Sequence, residues 1–285
     1  MPPFEHKTIE TAYRRAVTKL IVKVIPKWSR NITSDEWLRH LARLSDSTDL
    51  VEMATSLASQ MVRWVNVENV KDWREAAEKS QRSQYLYSLL KEELKGSVGR
   101  RFDELVLTQA SHISDIPTEV AEKLSGEIAV LQQQGSRPET IVRLLTTRFP
   151  TLAMSKIKLL SRTGVSSSAT LLTRARSEEL DLPWFQWYTS EDQRVRPSHR
   201  NMNGVLCAWE DLPSPEALIG QKPTLGHYAP GDCPNCRCGP LPLLTIEDVY
   251  KTGSERVRVY SHGVIKFMTR IQFTRFSGIE SRKAA

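Results

Sequence analysis

Cys233-Pro-Asn-Cys236-Arg-Cys238 sets three thiols within six residues. A C-x-x-C turn aims two sulfurs at one point, and zinc completes its tetrahedron with further Cys or His. Cys238, His199, His227 and Cys207 are the candidates to complete such a set. All four cysteines, two of the six histidines and eight of the fifteen prolines lie between Trp184 and Pro242. A structural zinc would help this stretch hold its shape, because metal binding adds directly to folding free energy. Two other readings stand beside zinc: buried free thiols, and a redox pair or disulfide. Clustered cysteines in a reducing compartment favour metal or redox use over a disulfide framework.

Enzymatic readings fare worse. Zinc deaminases carry H-x-E and a later P-C-x-x-C, with the Glu as general acid and base. Here Arg200 and Asn201 follow His199, and Asp232 precedes Cys233, so the carboxylate is missing. Nothing marks Cys207 or Cys233 as an activated nucleophile. Asp192, Arg194 and Arg196 form an acid–base–base cluster on a polar turn. Asp192 suits local turn capping, whereas the two arginines are also able to take a phosphate or carboxylate.

The elements that must position these groups are mostly helical. Ile9, Tyr13, Ala16, Leu20 and Val24 recur at helical spacing over residues 8–25, and Pro26 marks the stop. Thr33 and Glu36 form a capping box before Trp37, Leu38 and Leu41. The spacing predicts a helix holding Leu50, Met61 and Trp64, another from Val70 to Ala77, and one through Tyr85 to Leu94. Gly96 and Gly99 loosen the chain there. Asp115 and Pro117 open a helix that Gly135 closes. Ser136 and Glu139 start the next with a second capping box, and it runs to Pro150. A further helix spans about Leu152 to Leu180.

After Pro183 the period changes. Phe185, Trp187 and Thr189 alternate with polar neighbours, which predicts a strand. Asn203-Gly204 is a turn signal before Val205-Leu206-Cys207. Trp209 to Gly231 reads as loop, and Thr245 to Tyr250 as a short helix capped by Thr245, with Glu247 and Asp248 in its first turn. Arg256 to Tyr260 alternates, Ser261-His262-Gly263 turns, and Ile265, Phe267, Ile271 and Phe273 fall on one face of a returning strand. Lys266, Met268, Arg270 and Gln272 fall on the other, largely basic, face.

The chain of 285 residues is long enough to bury a real core. No apolar run reaches the roughly 20 residues a bilayer span needs, and the N-terminus lacks a signal-peptide pattern, so synthesis and folding are expected in the cytoplasm without a membrane partner. The formal net charge is +7. Residues 250–285 hold eight Lys/Arg and two Glu, a net +6 in that stretch. Such a tail suits a polyanion, with Arg256, Arg258, Lys266, Arg270 and Arg275 as the contacts; a solvated, frayed terminus is the plainer reading.

The run Trp187 to Gly204, with Asp192, Arg194, Val195, Arg196-Pro197, His199 and Asn203-Gly204, resembles the signature of the bacteriophage Mu F-like minor head proteins. The likeness continues at Ala229-Pro230-Gly231-Asp232 and Asn235-Cys236-Arg237-Cys238, then Pro240 and Pro242. Upstream, Leu160-Ser161-Arg162-Thr163 is similar to the family's helical I-A-R-T-E element, with Gly164 where the family usually has Glu. The resemblance covers about residues 105–245. Many members lack a cysteine at the place of Cys233, and some carry cysteines in the region matching Arg196 to His199. The resemblance therefore strengthens His199 as a ligand, giving His199, Cys233, Cys236 and Cys238 as the expected zinc set.

The fold expected is α+β: a mainly helical N-terminal half, a small β-containing Cys/Pro-rich module, and a C-terminal β-hairpin. The regions are residues 1–104, 105–183, 184–250 and 251–285. The resemblance implies a minor capsid protein of a tailed phage or prophage, non-enzymatic, with no small-molecule substrate. It would enter the procapsid from the host cytoplasm, sit in the virion near the portal, touch portal, capsid or scaffold proteins, and contact DNA in packaging or ejection. The alternative is a zinc-stabilised nucleic-acid-binding module. A fused enzyme or toxin fits poorly, since only about 40 residues follow the signature.

Overall fold

The computed structural model describes residues 6–25, 32–78, 96–223, 225–244, 246 and 255–279. The helices come first: α1 (Lys7–Val24), α2 (Ser34–Leu44), α3 (Thr48–Glu78), α4 (Ser97–Ser114), α5 (Ile116–Gln133) and α6 (Pro138–Glu179). There follow β1 (Trp184–Tyr188), α7 (Pro197–Met202), β2 (Leu206–Ala208), a 3-10 turn at Ala217–Ile219, β3 (Gly239–Pro242), β4 (Arg256–Ser261), β5 (Val264–Thr269) and α8 (Arg270–Ser277). The α+β class holds. The helix expected over Tyr85–Leu94 falls outside the described residues, as does all of that expected over Thr245–Tyr250 except Ile246.

The chain forms two compact units. One takes in residues 7–63 and 104–164; the other takes in the described parts of 64–103 and 165–285, with His6. In the first unit, Thr33 caps α2 as its spacing foretells: its hydroxyl accepts from Glu36 N at 3.2 Å, and Glu36 Oε2 accepts from Thr33 N at 3.0 Å. Trp37 meets Phe149 edge-on at 5.3 Å. Arg162 and Glu10 pair at 3.4 Å, both largely buried.

Several expectations need correction. The two helices foreseen over Leu50–Trp64 and Val70–Ala77 are one, α3. Its buried stripe runs Leu50, Ala54, Ala58, Met61, Val65, Asn69 and Trp73; small and polar residues occupy enough of it to hide the period. Pro150 likewise does not end a helix but lies inside α6. An interior proline loses a hydrogen bond and costs about 3 kcal/mol. The apolar face keeps phase across it, with Leu145, Phe149, Ala153, Ile157 and Leu160 all buried, so packing outweighs the local cost. That helix begins at Pro138, one residue later than a box starting at Ser136 requires.

Gly99 does not break the chain either, because α4 runs through it. The first amides of α4 are met by a distant carboxylate. Glu179 Oε1 accepts from Ser97 N at 2.8 Å and from the Ser97 hydroxyl at 2.6 Å.

The second unit carries a five-stranded sheet in the order β3-β1-β2-β4-β5. β1 is antiparallel to both neighbours, with Phe185 opposite Cys207 on one side and Pro242 on the other. β2 and β4 are parallel, joined at Leu206 and Val259. The C-terminal hairpin is thus part of the same sheet as the cysteine stretch. Its turn is the His262-Gly263 pair, both at positive φ. The strand foreseen through Phe273 stops at Thr269, where Thr269 and Gln272 form a capping box that starts α8. A period of two across Ile265 to Phe273 masked that signal. The expected apolar and basic faces change accordingly: Phe267 and Ile271 are 67% and 65% exposed, whereas Phe273 is fully buried against Trp184.

Candidate metal centre

β1, α7 and β2 form one tight excursion. Gly204 N donates to Trp187 O, Trp187 N donates to Val205 O, each at 2.8 Å, and Asn203 Oδ1 accepts from Thr189 N at 3.1 Å. The excursion fixes α7 beside β1, and α7 carries His199. This helix was not foreseen from sequence, since six residues are too few to show a period, though Pro197 sits at its favoured first-turn position. The cysteines enter from the other edge. Cys236 N donates to Cys233 O at 2.9 Å, closing a turn in which Asn235 takes a positive φ of 61°. Cys238 leads into β3, whose Gly239 pairs with Tyr188.

Helix α6 holds this loop by its backbone. The Ser166 hydroxyl donates to Cys236 O at 3.0 Å, and the Thr170 hydroxyl donates to Pro230 O. Gly231 lies between those two anchors at φ +101°, and a Cβ there would stand 2.7 Å from Thr170 Oγ1 and 3.0 Å from Ser166 O. Glycine is needed for both the backbone angle and the space.

His199 is 2% exposed. Its Nδ1 lies 3.4 Å from Cys236 Sγ and 3.5 Å from Cys238 Sγ. Zinc bonds of about 2.3 Å to sulfur and 2.0 Å to nitrogen, at tetrahedral angles, put those atoms about 3.5 Å apart. The donor set is therefore sized for such an ion, and the three ligand atoms are mutually within 4.8 Å. A second set, His199 with Glu216 and Cys233, meets the same spacing. Cys233 belongs to this second set, and its sulfur also accepts from Arg196 Nη1 at 2.7 Å, while Arg196 Nη2 donates to Pro234 O at 2.6 Å. Arg196, open to an outside anion by sequence, is bound into the cysteine loop.

The electrostatics favour a thiolate at Cys236. A hydrogen bond from Cys238 holds the Cys236 thiol well below its usual range; burial opposes this and the bond to His199 adds to it. Burial works against a charged His199, but hydrogen bonds to Cys233 and Cys236 outweigh it and lift its pKa to about 9. A proton on Nδ1 and a metal ion would occupy the same place between the sulfurs. Sharing with Cys236, and then burial, pushes the Cys238 thiol up.

The remaining candidates lie elsewhere. Cys207 is buried in β2, its thiol pushed up by burial, and belongs to neither set. His227 is exposed, with Nδ1 2.7 Å from Leu212 O. Asp192 Oδ1 accepts from Arg194 N at 2.8 Å, and its other oxygen is 3.9 Å from Arg237 Nη1. Arg194 itself is exposed. Glu216 and Tyr228, both 4% exposed, were missed by sequence reading because a proline-rich loop gives no period to place them.

The five basic residues of the C-terminal stretch divide. Arg258 lies opposite Phe267, and Lys266 lies opposite Val259, so these two cations project from opposite faces of the hairpin. Arg258 is committed to the α7 end, donating to the carbonyls of Asn201 and Asn203. Arg256, Lys266 and Arg275 are exposed, and Arg270 is partly buried. Among the described residues no helix is long and apolar enough to cross a membrane.

The model of the family described as Phage Mu protein F like protein matches residues 124–240. That span runs from within α5 through α6 into β3, and encloses His199, Cys233, Cys236 and Cys238. No curated protein and no solved structure matches the chain.

Proposed function

Residues 124–240 belong to the Phage Mu protein F like family, and from that premise we propose that the chain is a structural protein of phage head morphogenesis. In this reading it performs no catalysis. It enters the procapsid as a minor component and lies near the portal vertex, touching portal, capsid or scaffold protein. The observation that carries the proposal is the family match itself, centred on α6 and the His/Cys site that α6 anchors. Zinc at His199, Cys236 and Cys238 would act as a structural prop, joining α7 to the loop before β3 in a region where short strands provide little hold of their own.

The test is incorporation. The chain is co-expressed with the head proteins encoded beside it, and procapsids are isolated by sedimentation. Co-sedimentation at low copy, lost on deleting residues 184–242, is the expected result. Procapsids that form and mature with the chain left entirely in the soluble fraction would sink the assignment.

A second reading, direct contact with DNA, draws on the exposed Arg256, Lys266 and Arg275. Phosphate contacts of this kind are sequence-independent and weaken steeply with salt. Binding to random duplex DNA measured between 50 and 200 mM salt separates it from a purely protein-docking role.

A further inference from the structure

We infer that Glu216 and Tyr228 are positioning residues that select Nδ1 of His199 as the metal-binding nitrogen. The inference rests on the zinc reading above and deepens it. It follows from counting hydrogens. A tyrosine hydroxyl has one to donate, and Tyr228 gives it to Glu216 Oε1 at 2.7 Å. Once that hydrogen is given to Oε1, the phenol has no second one to give. His199 Nε2 lies 2.9 Å from the same phenol oxygen, so Nε2 must carry the N–H and donate it. In the neutral ring Nδ1 is then left with its lone pair, and Nδ1 is the atom that faces Cys236 and Cys238 at 3.4 and 3.5 Å.

A metal-bound imidazole commonly gives its other N–H to a carboxylate or carbonyl, which fixes the tautomer, orients the ring and raises its basicity. Here the phenol of Tyr228 stands between the imidazole and the carboxylate. All three residues are buried, none more than 4% exposed, so the chain is shielded from water. Glu216 Oε2 has no hydrogen-bond partner among the described residues. A carboxylate is costly to bury in that state, and a nearby cation would offset the cost. Glu216 Oε1 is 3.9 Å from His199 Nε2, so the carboxylate faces the side of the ring away from the two sulfurs.

The test uses the full chain, purified without a histidine tag, as wild type, Glu216→Gln and Tyr228→Phe. Both substitutions nearly preserve shape. Zinc affinity is measured by competition with a chromophoric chelator, cobalt(II) reports thiolate ligation by its charge-transfer absorption, and melting is recorded with and without metal. The expected result is one zinc per chain in all three proteins, an unchanged cobalt–thiolate band, and affinity weakened about 10- to 100-fold in both variants. The variants lose some stability without metal, since buried hydrogen bonds are removed, and the gain in melting point on adding zinc should also be smaller than in the wild type, which a merely structural role would not produce. Wild-type affinity in both variants overturns the inference while leaving the zinc site standing. So does loss of binding in Glu216→Gln alone, which would make Glu216 a ligand in the second set with Cys233. A wild type that takes up no zinc defeats the zinc reading itself, and the inference with it.

Discussion

Gly231 is the residue on which the cysteine loop turns. An added methyl meets Thr170 Oγ1 and Ser166 O, and the φ of +101° strains any L side chain. Gly231→Ala should cost about 2–4 kcal/mol in urea unfolding and loosen the Ser166–Cys236 bond. Stability within 0.5 kcal/mol of wild type would mean that α6 does not clamp the loop as described. Asp72, on α3, gives the pH dependence. Burial, followed by the nearby Glu75 and Glu68, raises its pKa to about 7, with Lys71 opposing. The folded state thus keeps a proton that the unfolded chain releases near the ordinary carboxyl value of about 3.9. Its effect is absent below that value, stability falls as pH rises toward 7, and the loss is complete above. Asp72→Asn should remove this slope and gain about 1–2 kcal/mol at pH 8 over pH 4, allowing for partial solvent screening. Parallel unfolding curves of variant and wild type across that window would contradict it.

Within elements, α6 holds the two most informative positions. Pro150→Ala restores a backbone donor in mid-helix and should raise stability by up to about 3 kcal/mol; a lower melting temperature would show that the proline's local geometry is required. Gly164 lies where a Cβ would stand 2.2 Å from Gln109 Oε1. Gln109, 2% exposed, fills the space that a side chain at residue 164 would claim. Gly164→Ala should therefore gain its full helix-propensity benefit of about 1 kcal/mol only when combined with Gln109→Ala, and a double-mutant cycle measures that coupling. These positions also mark what could be read from sequence. Thr33–Glu36 and Asn203-Gly204 were legible because their signals are local and chemical. Continuity through Pro150 and Gly99 was not, because it depends on partners such as Glu179 that lie far away in sequence. In the site, the thiols and His199 were legible by residue type. Glu216, Tyr228 and the bond from Arg196 to Cys233 were not, because they arise only when a loop without a period is folded back.

For the molecule as a whole, net charge misleads unless each cation is placed. The chain carries +7, but Arg258 is spent on Asn201 and Asn203. If the chain binds DNA, Lys266→Ala and Arg275→Ala should each reduce the salt slope of binding by about one. Arg258→Ala should instead lower melting and leave the slope unchanged. A slope that moves with Arg258 and not with the other two would assign the DNA-contacting face differently. The parallel join of Leu206 to Val259 has a consequence in time. β2 is synthesised well before β4, and until β4 emerges its outer edge offers unpaired backbone groups to any passing strand. The sheet that supports His199 therefore cannot close during translation of the cysteine stretch; it waits for the hairpin. Long-range pairing of this kind folds slowly and exposes the chain to aggregation in the interval. A nascent chain built this way gains from an early, local lock on its half-made module, and an ion held between α7 and the loop before β3 would close before the hairpin is made.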